Sequence, residues 1–399
     1  MTDVPSRPRT VLVSGASIAG PALAYWLHHH GFAVTVVEKA SKVRGGGYAI
    51  DIRGTARGVV ERMGLLPELR RAHVNTRRLT FLDLDGEPIA TWPADAVVGS
   101  ETGHDLEVRR GDLTALLYRV TRDTVEYLFD DSIATLDDRG DHVDVTFRGG
   151  ARRRFDLVIG ADGLHSHTRS LVMGPEEPYH RYLGRAFAGF TLPDDFGLER
   201  EGVIWNAPDR NAILYAYEPG ERVHGFLTFG LAEPPLRAFR DPEAQRDLVA
   251  SHFPDRQWEV PRLVAAMREA DDLFFDVVSQ IHLPTWSKGR VALAGDAAHA
   301  PSFLSGQGSS LALVGAYVLA GELAAHADHT AAFAAYEKTL REYVTLNQDL
   351  ATQGGIVVTP RTQQELDIRN DALRGRTTLP AQEQRPLAYN ALRLPDYVG

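Results

Sequence analysis

A short glycine-containing segment near the amino terminus, V11-L-V-S-G-A-S-I-A-G20, limits what this chain can fold into more than any other feature. It begins with the apolar run Val11 to Val13, which is typical of a buried strand, and the residues from Ala22 to Leu27 have the apolar spacing of a helix. A second β-rich run, Ala33 to Val37, follows and leads into Glu38. Strand, glycine turn, helix and strand in this order predict a fold that binds a dinucleotide.

The turn departs from the usual glycine pattern at one position. Gly15 and Gly20 stand where the first and last glycines are expected, but Ser17 replaces the middle one. Serine is small enough to let the backbone approach a pyrophosphate, and its hydroxyl can donate a hydrogen bond. Glu38 follows Gly20 by eighteen residues, close to the spacing at which a carboxylate reaches a ribose hydroxyl. By itself the segment suits NAD and FAD equally well.

Composition narrows the chemistry. The 399 residues include no cysteine, which excludes thiolate nucleophiles, disulfides and cysteine metal sites. The consecutive His28, His29 and His30 would point three ways around a helix, so they predict a solvated helix end and no metal site. A net charge of -10 disfavours nucleic acid and anionic membranes as partners. No signal peptide or membrane span is recognisable, and we predict a cytoplasmic protein.

Two later segments have the same strand-then-turn pattern. In F155-D-L-V-I-G-A-D-G-L-H-S-H-T-R169, a predicted strand leads to a loop with Asp162 and Gly163. In R290-V-A-L-A-G-D-A-A-H-A-P-S-F-L-S-G-Q-G-S-S-L-A-L313, a second strand leads to Asp296, and a helix is predicted to begin near Gly306 and Gly308. Each segment alone is weak evidence, and their combination is more specific.

With the first turn and with L106-E-V-R-R-G-D-L-T-A-L-L117, the order and spacing of these segments resemble the FAD-dependent aromatic hydroxylases, the single-component group A flavoprotein monooxygenases. The resemblance covers roughly residues 9 to 350. Within that family, G45-G-G-Y-A-I-D-I-R-G54 and R62-M-G-L-L66 are most similar to the tetracycline-inactivating monooxygenases. The resemblance implies an α/β fold, with a Rossmann-like FAD-binding domain (PHBH-type), a β-sheet substrate domain and a C-terminal bridging helix.

The resemblance also implies how FAD is held. Its adenine end would lie between Gly15 and Glu38, the aspartate matching Asp296 would bind the ribityl chain, and the loop Pro301 to Gly308 would run beside the isoalloxazine ring. Free N–H groups at a helix start after Gly306 suit the negative charge of reduced flavin. The predicted cofactor-binding residues are Gly15, Ser17, Ile18, Ala19, Gly20, Glu38, Lys39, Arg44, Asp51, Arg110, Asp162, Gly163, Asp296, Pro301, Gly306, Gly308 and Ser309.

The FAD-binding domain is predicted to be discontinuous, from residues 1–73, 103–175 and 282–330. Residues 74–102 and 176–281 would form a substrate domain of mostly antiparallel strands, and Asp85-Gly86 between two alternating runs predicts a hairpin within it. Residues 331–399 would form a C-terminal helix and tail. The side chains that could dock the tail are Leu392, Leu394, Tyr397 and Val398.

Aromatic residues in the second domain predict the substrate pocket. Alternation puts Tyr215 and Tyr217 on one face of a strand, and His224, Phe226 and Thr228 on one face of the next. These rings would suit a flat, apolar substrate, although they could equally be sheet core. Arg44 and Arg53 could contact the flavin or a nicotinamide phosphate, or be solvated on the surface. The predicted substrate-binding residues are Arg53, Phe187, Tyr215, Phe226 and Phe303.

The activity implied by the resemblance is an NADPH- or NADH-dependent monooxygenation, in a monomer or homodimer. FAD is reduced, O2 adds at flavin C4a, and the hydroperoxide transfers one oxygen atom to an aromatic, polyketide-like or antibiotic molecule. The flavin performs this chemistry, so no catalytic side chain is predicted. Two departures from the family pattern bear on the pocket: Phe303 replaces the usual proline, and Val314 and Gly315 stand where an acidic residue is common.

Other activities stay open at this point. Baeyer–Villiger oxygenation needs the same flavin, and a non-catalytic flavoprotein that sequesters a ligand would share the fold. A nicotinamide-dependent oxidoreductase without flavin would not account for Gly295-Asp296 or Gly306 and Gly308. A flavin halogenase is disfavoured because none of the five tryptophans forms a W-x-W pair.

Overall fold

The computed structural model describes residues 7–43, 45, 47–99, 103–217, 220, 222–235, 241–254, 256–352, 359–374 and 384–397. Arg44 and Val398, both named in the sequence-based predictions, lie outside the described residues. The strands are, in chain order, β1 (Thr10–Ser14), β2 (Ala33–Val37), β3 (Ala49–Ile52), β4 (Arg78–Leu82), β5 (Pro88–Pro93), β6 (Leu106–Arg109), β7 (Glu126–Leu128), β8 (Ile133–Asp138), β9 (Val143–Phe147), β10 (Arg152–Phe155), β11 (Leu157–Gly160), β12 (His180–Leu192), β13 (Glu201–Ala207), β14 (Arg210–Ala216), β15 (Val223–Gly230), β16 (Phe274–Ile281), β17 (Ser287–Lys288) and β18 (Val291–Leu293).

The helices are, in chain order, α1 (Ala19–His29), α2 (Thr55–Arg62), α3 (Leu66–Arg71), α4 (Ala94–Val98), α5 (Arg110–Thr121), α6 (His167–Met173), α7 (Pro242–His252), α8 (Val260–Glu269), α9 (Asp296–His299), α10 (Gly308–Ala325), α11 (His329–Asp349), α12 (Gln363–Arg374) and α13 (Gln384–Tyr389). A single 3₁₀ turn, Phe303–Ser305, precedes α10.

The strand before the glycine turn lies inside a six-stranded sheet of order β17-β18-β11-β1-β2-β7. β1 pairs in parallel with β2 on one side and with β11 on the other, and only β17 joins the sheet antiparallel. Parallel strands covered on both faces are continuous apolar runs, which explains Val11 to Val13 and Leu157 to Ile159. The predicted strand, turn, helix and strand are therefore confirmed.

A separate seven-stranded sheet has the order β16-β12-β15-β14-β13-β4-β5. Its neighbouring strands are antiparallel, except that β4 runs parallel to β13. The predicted hairpin is confirmed: β4 and β5 are joined by a turn in which Gly86 has φ +91° and donates to the Asp83 carbonyl at 3.2 Å. The remaining strands form two smaller sheets, β10-β9-β8 and β3-β6. The mostly antiparallel sheet is as expected, and the exact domain boundaries stay a prediction.

Helix α10 runs through the main core. It is long and apolar enough to cross a membrane, but 72% of it is buried inside the protein. A helix that is hydrophobic all round is also what the centre of a large domain requires. It packs against α1, α2 and α11.

Helix α11 connects the two large sheets. Its first turn is capped by Asp328, which accepts a hydrogen bond from the Ala331 backbone at 3.1 Å. The Tyr336 hydroxyl donates to the carbonyl of Leu293 in β18 at 3.3 Å. At the other end, the Gln348 amide donates to the carbonyl of Ile281 in β16 at 2.9 Å. The predicted bridging helix is confirmed.

The carboxyl-terminal tail docks on the main core. Leu392, Leu394 and Tyr397 pack against the buried cluster that contains α1 and α10. The Tyr317 hydroxyl donates to the carbonyl of Pro395 at 2.8 Å, and the Tyr397 hydroxyl donates to the Glu322 carboxylate. Docking by the first three predicted tail residues is therefore confirmed.

A stability prediction follows from the contact behind the glycine turn. A Cβ added at Gly20 would lie 1.9 Å from the carbonyl oxygen of Gly15. The turn cannot move aside, since the Gly15 N–H is bound to the Val37 carbonyl at 2.7 Å. We expect Gly20→Ala to lower the free energy of unfolding in urea by about 1–3 kcal/mol.

The control is Gly45→Ala, because a Cβ at Gly45 meets no atom within 4 Å. Equal stability of the two variants would contradict the close contact at Gly20.

Candidate functional site

A cavity of about 1450 Å³ lies between the two large sheets. It begins at the turn after β1 and reaches the aromatic side chains of β12, β14 and β15. The predicted cofactor residues that line it are Gly15, Ser17, Ile18, Ala19, Glu38, Lys39, Asp51, Arg110, Asp162, Gly163, Asp296, Pro301, Gly306, Gly308 and Ser309. The predicted substrate residues Arg53, Phe187, Tyr215, Phe226 and Phe303 line it too. The structure thus brings the residues together, and the binding role of each stays a prediction.

The glycine turn brings backbone, not side chains, to this cavity. Gly15 has φ +106°, and a Cβ there would lie 2.5 Å from the carbonyl oxygen of Ala161. Gly20 does not line the cavity, and a Cβ built there would point back at the Gly15 carbonyl. The first N–H groups of α1 have no partner within the helix, so Ser17, Ile18 and Ala19 offer an anion-binding edge. This edge fits a pyrophosphate.

Glu38 holds the turn as well as lining the cavity. One carboxylate oxygen accepts a hydrogen bond from the Ala16 backbone at 2.8 Å, and the other accepts one from the Ala40 backbone at 2.9 Å. Each carboxylate oxygen has a second lone pair, so Glu38 can still accept hydrogen bonds from ribose hydroxyls. Its position at the end of β2 is therefore fixed before any ligand binds.

Ser17 has a partner that the sequence did not reveal. The guanidinium of Arg110, at the start of α5, donates to the Ser17 hydroxyl at 2.7 Å. The hydroxyl accepts this bond with its oxygen, and its own hydrogen stays available to a ligand. The substitution of the middle glycine therefore brings a fixed positive charge to the anion-binding edge.

The Asp162 carboxylate is used by the protein itself. It accepts hydrogen bonds from the Ser166 hydroxyl at 2.5 Å, from the Thr168 backbone at 2.9 Å and from the Thr168 hydroxyl at 2.9 Å. These bonds fix the loop between β11 and α6. Gly163, at φ +88°, then exposes its backbone to the cavity.

Asp296 contrasts with Asp162. Its carboxylate faces the cavity at the start of α9, and no hydrogen bond joins it to another of the described residues. Burial raises the pKa of this carboxyl, the charge of Arg110 opposes the rise, and Asp276 adds to it. A partly buried carboxylate that the fold leaves without donors fits a ligand with several hydroxyls, such as a ribityl chain.

The loop from Pro301 to Ser309 is shaped by its own hydroxyl groups. Ser302 has φ +85°, unusual for a residue with a side chain, and its carbonyl accepts a hydrogen bond from the Ser305 hydroxyl at 2.8 Å. Gly306, at φ +70°, turns the chain into α10. The predicted helix start beside the cavity is confirmed, and its free N–H groups suit a negatively charged ring edge.

The four predicted aromatic residues meet at one end of the cavity. The rings of Phe303 and Phe187 are stacked at 4.4 Å, and Phe226 lies 5.8 Å from Phe303 and 6.2 Å from Tyr215. Tyr48, which was not predicted, lies edge-on to Phe303 at 5.9 Å. Its place after three glycines gave no sign that it would face the substrate sheet.

Arg53 is not on the surface, and that alternative was wrong. It is 3% exposed. Its guanidinium binds the Asp51 carboxylate at 2.8 Å, the Val98 carbonyl at 2.8 Å and the Tyr389 hydroxyl at 3.1 Å. Burial alone would lower the pKa of Arg53, but the neighbouring Asp51 carboxylate keeps that pKa above its usual value. Arg53 is therefore a charged group inside the protein.

Two ionisable groups at the cavity were also missed. Glu107 in β6 lines its inner end, and burial, with repulsion by Asp51, raises the pKa of Glu107 to about 7. His165 also lines the cavity and binds Glu176 at 2.8 Å and Asp276 at 3.3 Å, which raises the pKa of His165 to about 9. Alternation within L106-E-V-R109 hinted at two faces for β6, but not at which face meets the cavity.

Comparison with known proteins agrees with this geometry. The FAD binding domain family matches residues 239–353. An uncharacterized protein of Mycobacterium tuberculosis (strain H37Rv) is 45% identical over 363 residues, which cover 90% of this chain and 97% of that protein. A flavin-dependent monooxygenase from an unknown prokaryotic organism is 36% identical over 392 residues, which cover 98% of this chain and 99% of that protein.

A solved structure is similar over the same length. The crystal structure of the tetracycline destructase Tet(55) matches with a TM-score of 0.84 and 35% identity, over 98% of this chain and 99% of that one. The predicted α/β fold with a PHBH-type FAD-binding domain is confirmed. The chain belongs to the flavin-dependent monooxygenases.

Proposed function

We propose that this protein uses NADPH or NADH and O2 to insert one oxygen atom into a flat aromatic or polycyclic small molecule. The observation that carries the proposal is the single cavity that joins the anion-binding edge of α1, Asp296 and the start of α10 to the ring cluster of Phe187, Phe226 and Phe303. FAD lying along the first part would have its ring beside the aromatic part.

Each part of the cavity has a task in this proposal. When bound, FAD would accept the hydride and activate O2. Ser17 and Arg110 hold the pyrophosphate, Glu38 accepts hydrogen bonds from the adenosine ribose, and Asp296 accepts them from the ribityl hydroxyls. The N–H groups at the start of α10 stabilise negative charge on the reduced ring.

The aromatic side chains orient the substrate and exclude water. Phe187 and Phe226 are 3% and 5% exposed, and Phe303 covers them from the loop before α10. A flat molecule can stack against these rings at ordinary distances. Because it displaces water from the cavity, reactive intermediates are protected from hydrolysis. Tet(55) is named for tetracyclines, so tetracyclines and related polyketides are the first candidate substrates for this chain.

The cofactor site is tested by Asp296→Ala. Loss of this partly buried acceptor should weaken FAD binding about tenfold to a hundredfold, while the protein stays folded. FAD occupancy is read from flavin absorbance after gel filtration, and folding from circular dichroism. Asp141→Ala, at an exposed carboxylate outside the cavity, is the control. Unchanged occupancy in Asp296→Ala would refute the ribityl contact.

The anion-binding edge is tested at Ser17. A leucine there would fill the space between Arg110 and the start of α1, so Ser17→Leu should prevent FAD binding. Ser17→Gly restores the usual glycine and should bind FAD with nearly normal affinity. Flavin fluorescence titration distinguishes the two, and equal affinity would place the pyrophosphate elsewhere.

The activity is tested with tetracyclines and polycyclic phenols. A substrate should accelerate NAD(P)H consumption and gain the mass of one oxygen atom, and Phe303→Ala should raise its KM about tenfold through lost stacking. Flavin-bound protein that consumes no NAD(P)H with any compound would instead favour a ligand-sequestering role. Hydroxylation and ring expansion both add one oxygen atom, so NMR of the product, which locates the new carbon–oxygen bond, distinguishes them.

A further inference from the structure

The inner end of the cavity has an excess of negative charge. We define this substrate end as the part of the cavity lined by Phe187, Tyr215, Phe226, Arg53, Asp51 and Glu107, of which the last two carry carboxylates that face each other. Among the described residues that line the substrate end, Arg53 is the one lysine or arginine. An anionic substrate would therefore be repelled here.

The charge of Arg53 is already used. Its guanidinium is bound to the Asp51 carboxylate, and two further bonds go to the Val98 carbonyl and the Tyr389 hydroxyl. A planar guanidinium with these three partners is held in one orientation. The positive charge of Arg53 is paired with Asp51, so Arg53 stabilises the Glu107 carboxylate only weakly.

Glu107 is placed to meet a ligand. It stands directly opposite Asp51 in the register of β6 and β3, so the two carboxylates share one face of that ribbon. One carboxylate oxygen accepts a hydrogen bond from the Thr76 backbone at 3.3 Å. The Thr76 hydroxyl is a second donor from the same residue, and both Thr76 groups lower the pKa of Glu107 against the effect of burial. Glu107 lines the cavity.

Among the residues that the structure describes, Arg53 is the one positive group that acts on Glu107. Asp51 in β3 and Arg53 just after it act on Glu107 from one side. Tyr215 in β14 and Tyr217 just after it lie on the other, and burial raises the pKa of both tyrosines, which keeps them neutral. The His73 ring nitrogen is bound to the Glu107 backbone at 3.0 Å.

On its own strand, Arg109 lies over the ring of Tyr217 at 5.4 Å and does not line the cavity. A buried carboxylate in such surroundings is costly unless a cation joins it.

We propose that Glu107 is a specificity-determining residue of the substrate cavity, and that it selects substrates in which a protonated amine adjoins flat aromatic rings. The amine would donate to Glu107, and its positive charge would also lie near the faces of Tyr215 and Phe226, which attract cations. This inference rests on the proposed function, because it assigns that part of the cavity to the substrate.

The proposal has a pH signature. The pKa of Glu107 lies near 7 in the free protein, and a bound ammonium would lower it. Binding of an amine should therefore strengthen as pH rises through 7, because only ionised Glu107 pairs with it. Between about pH 6 and about pH 8 the ionised fraction increases about tenfold, and the affinity should increase similarly.

The experiment compares two small probes of equal shape. Naphthylmethylamine carries a charged ammonium at both pH values, and naphthylmethanol carries a neutral hydroxyl donor in its place. Each is titrated by calorimetry into the FAD-loaded wild-type protein, into Glu107→Gln, and into Glu61→Gln. The last variant makes the same change on an exposed face of α2, outside the cavity.

We expect wild type and Glu61→Gln to bind the amine at least about tenfold more tightly than the alcohol at about pH 8, with the preference fading toward pH 6. Glu107→Gln should lose the preference and its pH dependence, and its affinity for the alcohol should stay the same. Equal affinity of wild type for both probes, including no measurable binding of either, would overturn the proposal, as would an unchanged preference in Glu107→Gln. Because calorimetry needs no turnover, these results stand apart from the oxygenation assay that tests the proposed function.

Discussion

The backbone of Gly20 lies against the carbonyl of Gly15 so closely that no side chain fits between them, and the rest of the site is built outward from this contact. The turn is fixed on both sides, by the bond from the Gly15 N–H to Val37 and by the bond from the Ala161 N–H to the carbonyl of Ser14. These two bonds set the ends of β2 and β11 level with the end of β1. The residues that follow those ends, Glu38 and Asp162, therefore arrive at the same edge of the sheet, as parallel pairing requires.

The carboxylates that line the cavity differ in their hydrogen bonds, and this difference separates those that hold loops from those that can bind a ligand. Those of Glu38 and Asp162 receive donors from neighbouring backbone and hydroxyl groups, so they hold loops in place before a ligand arrives. Those of Asp296 and Glu107 lack such full sets of donors, and burial raises the pKa of both. A carboxylate with few hydrogen-bond donors inside a fold is explained when a ligand supplies the missing donors. The same criterion thus points to the cofactor at Asp296 and to the substrate at Glu107.

The sequence predicted features that depend on local pattern or on a motif. The strand, turn and helix at Val11 to Leu27 follow from apolar spacing and glycine, and the hairpin follows from Asp85-Gly86. The position of Arg53 could not be read this way, because its partner Tyr389 is 336 residues further along the chain. Nor could Glu107, since only the register of β3 with β6 puts it opposite Asp51. Long-range pairing of this kind leaves no mark in a single sequence.

Phe303 stands where the family usually has proline, and the surrounding loop compensates for the change. A proline at this position would fix the backbone, whereas here the loop is held by the Ser302 and Ser305 hydroxyls, and the side chain is free to stack on Phe187 and Phe226. Loop and substrate sheet are thereby joined through stacked and tilted ring contacts, geometries that a flat aromatic ligand can also adopt. A flat substrate that enters between the rings would exchange one stacking contact for another at little cost. The aromatic end therefore supplies a contact surface that can adapt to flat molecules of different outline.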